Sequence, residues 1–250
     1  MQLKDYRIGY GHCEVARCDG DLAFAKAEFI SIIGKNGAGK STLLQSINDK
    51  SLRLSGNVAL GDQNYDSLLP AEKAKITSVV LTERNFSHFL KVRELLELSR
   101  APYTSYYGKL SLEDHDIIDR VLDQFELRSL SHRSLGTLSD GQLQRVLIAR
   151  SLAQDTSYIL MDEPTSHLDI NYKVDLLLML KKYCDANLKT MIYATHELQL
   201  AMQLSDKIVS IYQGIIELQS TKDFASSNKL KEMFPSKNIS FKNGKIDFSF

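Results

Sequence analysis

The chain of 250 residues has no surplus of either charge: Lys plus Arg and Asp plus Glu are each 31, so the formal net charge is zero. A protein whose main task is to coat nucleic acid needs a basic surface, so this balance argues against that class while leaving room for a local basic patch. Cysteine is scarce. Cys13, Cys18 and Cys184 form no CxxC pair and no Cys/His cluster completes a metal site, and an odd, sparse set fits reduced thiols. No apolar run approaches the roughly 20 residues that span a bilayer. The longest candidate, VDLLLMLKKYC from Val174, is broken by lysines. The opening MQLKDYRIGY lacks the apolar core of a signal peptide. Internal repeats and low-complexity tracts are missing as well. The expectation is a chain that is soluble by itself and reaches a membrane only where another protein holds it.

What is present is 43% hydrophobic residues in short runs bounded by turn residues, enough for a sizeable core. Glu28–Ile33, Ile76–Leu81, Tyr158–Met161 and Thr190–Ala194 read as buried strands, each leading into a polar loop or helix. That alternation predicts an α/β architecture with a largely parallel sheet. The segments before Glu28, together with Gly56–Leu60, read as more exposed, antiparallel strands. Between Lys91 and Gln154 the spacing is helical throughout, which predicts a helical insertion in the α/β core. From about Thr221 the chain turns Lys/Ser/Asn/Phe-rich, with a short helix expected near Leu230–Phe234.

Three motifs carry chemistry. GKNGAGKST, comprising Gly34, Lys35, Asn36, Gly37, Ala38, Gly39, Lys40, Ser41 and Thr42, satisfies GxxxxGK[ST] between a predicted strand and a predicted helix. Its glycines let backbone N–H groups wrap a phosphate, Lys40 brings a point charge to the β- and γ-phosphates, and the Ser41 hydroxyl suits Mg²⁺. YILMDEPTSHLD, Tyr158 to Asp169, puts two carboxylates at the tip of a buried strand, the edge where open α/β sheets bind ligands. Asp162 is placed to hold Mg²⁺ through water and Glu163 to polarise an attacking water as general base. LSDGQ opens the helix QLQRVLIARSLA. Ser139 and Gln142 make a capping box there, and a helix N-terminus bearing Ser and Gly also attracts a phosphate.

In this order, the P-loop, LSDGQ, MDEP and a later strand-end histidine resemble the ATP-binding subunit of an ABC transporter, over about residues 1–220. The resemblance implies a P-loop NTPase core of RecA-like type with an antiparallel β subdomain. A helical subdomain at about 88–154 would be inserted in it, leaving residues 221–250 as a tail of unassigned role. It implies a homodimer that sandwiches two ATPs, each with Mg²⁺, the P-loop of one subunit facing the signature of the other. Ser139, Gly141 and Gln142 would then meet nucleotide across the dimer. Asp140, where the family has glycine, would point away from the phosphates. Ser166–Asp169 resembles the loop that links the two ATP sites, and His196 the switch histidine that contacts the γ-phosphate. Tyr10 resembles the aromatic that stacks on adenine, with Tyr6 as its rival. Thr82 falls where the family has a glutamine that ligates Mg²⁺, and Glu83 is the other candidate for that role.

Relatives that organise chromosomes separate these motifs by long coiled coils, and translation-factor relatives carry two cassettes. Neither pattern occurs here. The segment from Val92 to Ile118 is similar to that of importers for iron–siderophore complexes, haem and cobalamin, matching at Val92, Glu94, Leu95, Arg100, Pro102 and Asp114. The implied partners are integral-membrane permease subunits and, indirectly, a substrate-binding protein, with no nucleic acid. The implied place is the cytoplasmic face of the inner membrane, as a peripheral subunit. A soluble ABC-type ATPase that regulates or remodels a macromolecule is the alternative.

Overall fold

The apolar run before the Gly-rich loop folds as the strand Phe29–Gly34, and all six of its residues are buried. In the computed structural model, which describes residues 1–80, 86–105, 108–166, 168–235, 239–242 and 245–248, this strand lies in the first of two units. That unit comprises Met1–Leu68 and Thr190–Phe250, and the second comprises Leu69–Lys189.

In the first unit, Phe29–Gly34 pairs in parallel with Thr190–Ala194 on one side and Lys207–Tyr212 on the other. Strands with parallel neighbours and both faces covered carry unbroken apolar runs, which is why the sequence signal there is a block and not an alternation. Lys207–Tyr212 turns antiparallel into Ile215–Ser220, whose start pairs in parallel with Cys13–Cys18. Beyond it, Gln2–Tyr10 pairs antiparallel with Cys13–Cys18 and with Arg53–Leu60, so the expected antiparallel early strands are there. The strands Lys207–Tyr212 and Ile215–Ser220 carry no assignment from the sequence. Their signal is the Gln213-Gly214 turn, where both residues adopt positive φ, of 50° and 76°.

The tail docks on this unit. Its helices Thr221–Ser226 and Lys229–Met233 bury Phe224, Leu230 and Met233 against Ile33, Ala201, Met202 and Ile208. The short helix expected near Leu230–Phe234 is thus present, one residue earlier at each end. Ile239–Lys242 and Lys245–Phe248 pair antiparallel after it.

In the second unit, Thr77–Val80 lies parallel to Tyr158–Asp162. The predicted end of the first of these strands, Leu81, lies outside the described residues. The helices Val92–Leu98, Leu112–Gln124 and Asp140–Ala153 pack on one another where helical spacing predicts them, burying Leu96, Ile118, Leu122, Val146 and Ile148. The long helix Ile170–Asn187 ends where Leu188 turns left-handed. Among the described residues, no helix is long and apolar enough to cross a membrane.

Candidate functional site

The Gly-rich loop leaves the sheet at Gly34, exposes Lys35, Asn36 and Gly37, and enters the helix Lys40–Ser46 through the half-buried Ala38 and Gly39. The side chain of Lys40 folds back, its Nζ donating to the carbonyls of Gly34 at 3.1 Å and Lys35 at 3.3 Å. The ammonium is thereby held inside the loop, where the first-turn N–H groups of the helix also point. Ser41 is half-buried on the first turn. Thr42 is buried, and its Oγ1 lies 2.9 Å from the Tyr10 hydroxyl. The Tyr10 ring is 57% exposed beside the loop. Its rival Tyr6 is buried, donates its hydroxyl to the Ser46 carbonyl at 2.9 Å, and has its phenol pushed up to about 12, chiefly by desolvation. Of the two rings, Tyr10 has the open face that stacking on a base requires.

His196 comes to the same edge. It follows Thr190–Ala194, whose Ala194 is in register with Ile32, and the Thr195 N–H donates to the Ile32 carbonyl at 3.1 Å. The carboxyl ends of two adjacent parallel strands therefore present the P-loop and an exposed imidazole together.

The second unit gathers the carboxylates and the LSDGQ segment. Tyr158–Asp162 is buried along its length, with Asp162 6% exposed at its tip. Glu163, half-buried, sits at φ 48°, a left-handed backbone that costs a non-glycine residue of order 1–3 kcal/mol and persists only where its surroundings hold it. Its carbonyl accepts from the Ser166 N–H at 3.0 Å. Asp169 caps the next helix by accepting from the Tyr172 N–H at 3.0 Å, and His167 lies outside the described residues.

Ser139 caps the helix Asp140–Ala153. Its Oγ accepts from the Gln142 N–H at 3.3 Å while Gln142 Oε1 accepts from the Ser139 N–H at 3.1 Å, the reciprocal capping box the sequence predicts. Ser139 and Asp140 are exposed and Gly141 is half-buried. A methyl group on Gly141 would meet only ordinary contacts, 3.4 Å to the Tyr172 ring, so this chain's own packing does not demand glycine there.

The Val92 to Ile118 outline is largely interior. Val92 and Leu95 are core residues, and Arg100 and Asp114, 4% and 5% exposed, are joined through Nε and Oδ1 at 2.8 Å. Arg100 also donates to the Ala153 carbonyl at 3.0 Å, tying this outline to the end of the LSDGQ helix. Burial by itself would raise the Asp114 carboxyl. Hydrogen bonds from the Ser111 N–H and hydroxyl and from Arg100 outweigh it and hold the group below the usual carboxylate range. The exposed apolar side chains nearby are Phe89, Leu98 and Leu112. Sequence reasoning missed the buried pair because Arg and Asp 14 residues apart show no helical or strand period.

Thr82 and Glu83 lie outside the described residues. Among the described residues, no three His, Cys, Asp or Glu side chains cluster to hold a metal. Ser41 and Asp162 are hard oxygen donors. Each, in its own unit, is a donor of the kind that suits Mg²⁺, which takes one or two protein oxygens and completes its shell with waters and substrate phosphates.

The family model described as ABC transporter matches residues 19–166. An uncharacterised ABC transporter ATP-binding protein of Methanocaldococcus jannaschii is 34% identical over 212 residues, which are 84% of this chain and 72% of that one. The petrobactin import ATP-binding protein YclP of Bacillus subtilis is 32% identical over 235 residues, 94% of this chain and 92% of that one. Among solved structures, a dimeric ATP-binding cassette in a post-hydrolysis state, bound to ADP and Pi, superposes with a TM-score of 0.73 and 27% identity, covering 88% of this chain and 98% of that one.

Proposed function

Because the chain belongs to the ABC transporter family, as an ATP-binding and ATP-hydrolysing subunit, we propose that it energises import of an iron complex, a siderophore or haem, or of cobalamin, through a separate membrane permease. The observation that carries this reading is the likeness to a petrobactin import subunit over 94% of this chain, the helical segment from Val92 to Ile118 included. Leu98 and Leu112 of that segment, and Phe89 just before it, are exposed apolar side chains available to a permease. The protein would work as a homodimer at the cytoplasmic face of the membrane, peripheral to the permease and supplied indirectly by a substrate-binding protein. Residues 1–220 would form the ATPase domain, with a helical subdomain at about 88–154.

The residues then divide the work. Tyr10 stacks on the adenine. Lys40 and the amides from Gly34 to Thr42 neutralise phosphate charge. Mg²⁺, when bound, neutralises phosphate charge further, and the Ser41 hydroxyl and Asp162, through water, would hold it, with Thr82 or Glu83 as a further contact. Glu163 polarises the attacking water and His196 holds that water and the γ-phosphate. Ser139, Gly141 and Gln142 meet the nucleotide of the other subunit. Closure on ATP and opening after hydrolysis favour different permease orientations, which drives alternating access.

Replacing the gene by one encoding Glu163→Gln tests both halves. The purified variant should bind ATP, stall as a closed dimer and turn over about 100-fold more slowly or worse. The strain should lose growth on an iron complex or on cobalamin. Normal turnover removes Glu163 from its role, and undiminished growth on every iron source and on cobalamin removes the import reading.

A further inference from the structure

Gln144 is a buried polar residue of its helix, 7% exposed, flanked by the buried Leu143 and the half-buried Arg145. A leucine would fill such a place without needing a partner, whereas a buried amide must find one. Gln144 finds it 20 residues away: its Nε2 donates to the carbonyl of Pro164 at 2.9 Å.

That carbonyl belongs to the residue directly after Glu163, whose backbone is left-handed. Glu163 has φ 48°, and it also precedes a proline, whose ring narrows the conformations open to it. Two hydrogen bonds hold the turn that follows it. The Glu163 carbonyl accepts from the Ser166 N–H at 3.0 Å, and the next carbonyl, of Pro164, accepts from Gln144. The first is local to the turn. The second ties the turn to the helix that starts at LSDGQ. The same two segments meet again where Gly141 packs beside Tyr172 and Leu168, and where the Arg145 guanidinium lies 5.5 Å from the centre of the Tyr172 ring.

We propose that Gln144 is a positioning residue for Glu163: its side-chain amide holds the strained Glu163–Pro164 turn in the one conformation that aims the carboxylate at the attacking water, and it fixes that carboxylate to the signature helix. The inference rests on the reading of Glu163 as the base. Without the amide the turn relaxes toward negative φ and the carboxylate swings off its line, while Lys40 and the P-loop are untouched.

The test uses the full chain with Gln144→Met, which keeps the length and loses the donor, and Gln144→Glu, which donates only when protonated. Gln144→Met should lower kcat about 10- to 100-fold, the loss that follows a misplacement of about 1 Å. KM for ATP and the Kd of a non-hydrolysable ATP analogue should stay within about twofold, with the protein still folded by thermal melting. Gln144→Glu should recover activity relative to Gln144→Met as pH falls from about 8 to 6, as the buried carboxyl regains its proton. Wild-type kcat in Gln144→Met overturns the proposal. So does a Gln144→Glu variant that tracks Gln144→Met at every pH, or a kcat loss that only mirrors loss of folded protein. Glu163→Gln separates the two failures: if it turns over normally the reading of the base fails, and if it is silent while Gln144→Met is fully active only the strap fails.

Discussion

A methyl group on Gly39 would sit 2.7 Å from Val15 Cγ1, on a backbone at φ 105°. Gly141, by contrast, has room for one in ordinary contact with Tyr172. Both stand in glycine-bearing motifs, yet only the first is required by the fold. Gly39→Ala should therefore destabilise the protein by about 1–3 kcal/mol, since it adds a clash to an unfavourable dihedral, and a lowered unfolding midpoint is the measurement. Gly141→Ala should leave that midpoint in place and reduce ATP turnover, because the surface it crowds is the one assigned to nucleotide across the dimer. A melt lowered as far for Gly141→Ala as for Gly39→Ala would show that glycine there serves packing instead. The P-loop spacing was legible residue by residue. The difference between these two glycines was not, because it depends on Val15 and Tyr172, which no local pattern brings near them.

At the scale of elements, the Arg100–Asp114 pair shows how a resemblance can be right in outline while its residues do another job. The Val92 to Ile118 segment matches importers, but Arg100 and Asp114 are interior, and Asp114 also caps the helix Leu112–Gln124 from its first turn by accepting from the Ser111 N–H at 2.8 Å. Arg100→Met leaves that carboxylate buried without its cation and should cost roughly 3–5 kcal/mol. Asp114 is held below its unfolded value, so its contribution to stability is fully present above an unfolded pKa of about 4 and is lost as pH falls through the lower, folded pKa. Thermal melts of wild type and Arg100→Met from neutral pH downward should converge at the acid end. Curves that stay parallel would mean that the pair does not account for the difference.

For the whole molecule, the prediction concerns association. Ser139 is exposed at a helix start, where it caps its own helix. Ser139→Arg should block the ATP-dependent dimer without abolishing nucleotide binding to the single subunit, since the P-loop lies elsewhere in the chain. Size-exclusion chromatography with ATP, in a Glu163→Gln background that traps closure, reads the dimer. A variant that still dimerises would place the signature away from the interface.

By itself the sequence determined the strand before the P-loop, the buried strand Tyr158–Met161 that leads to Asp162, the helical stretch between them and the capping box at Ser139. Each of these is a local pattern, in which burial on both faces makes an apolar block and a helix start demands a cap. Only the tertiary structure buried Tyr6 while leaving Tyr10 exposed, paired Arg100 with Asp114, docked the tail through Phe224, Leu230 and Met233, and joined Gln144 to Pro164. Those outcomes depend on residues brought together from distant parts of the chain, and hydrophobic period, which reports which face is buried, carries no record of what it is buried against.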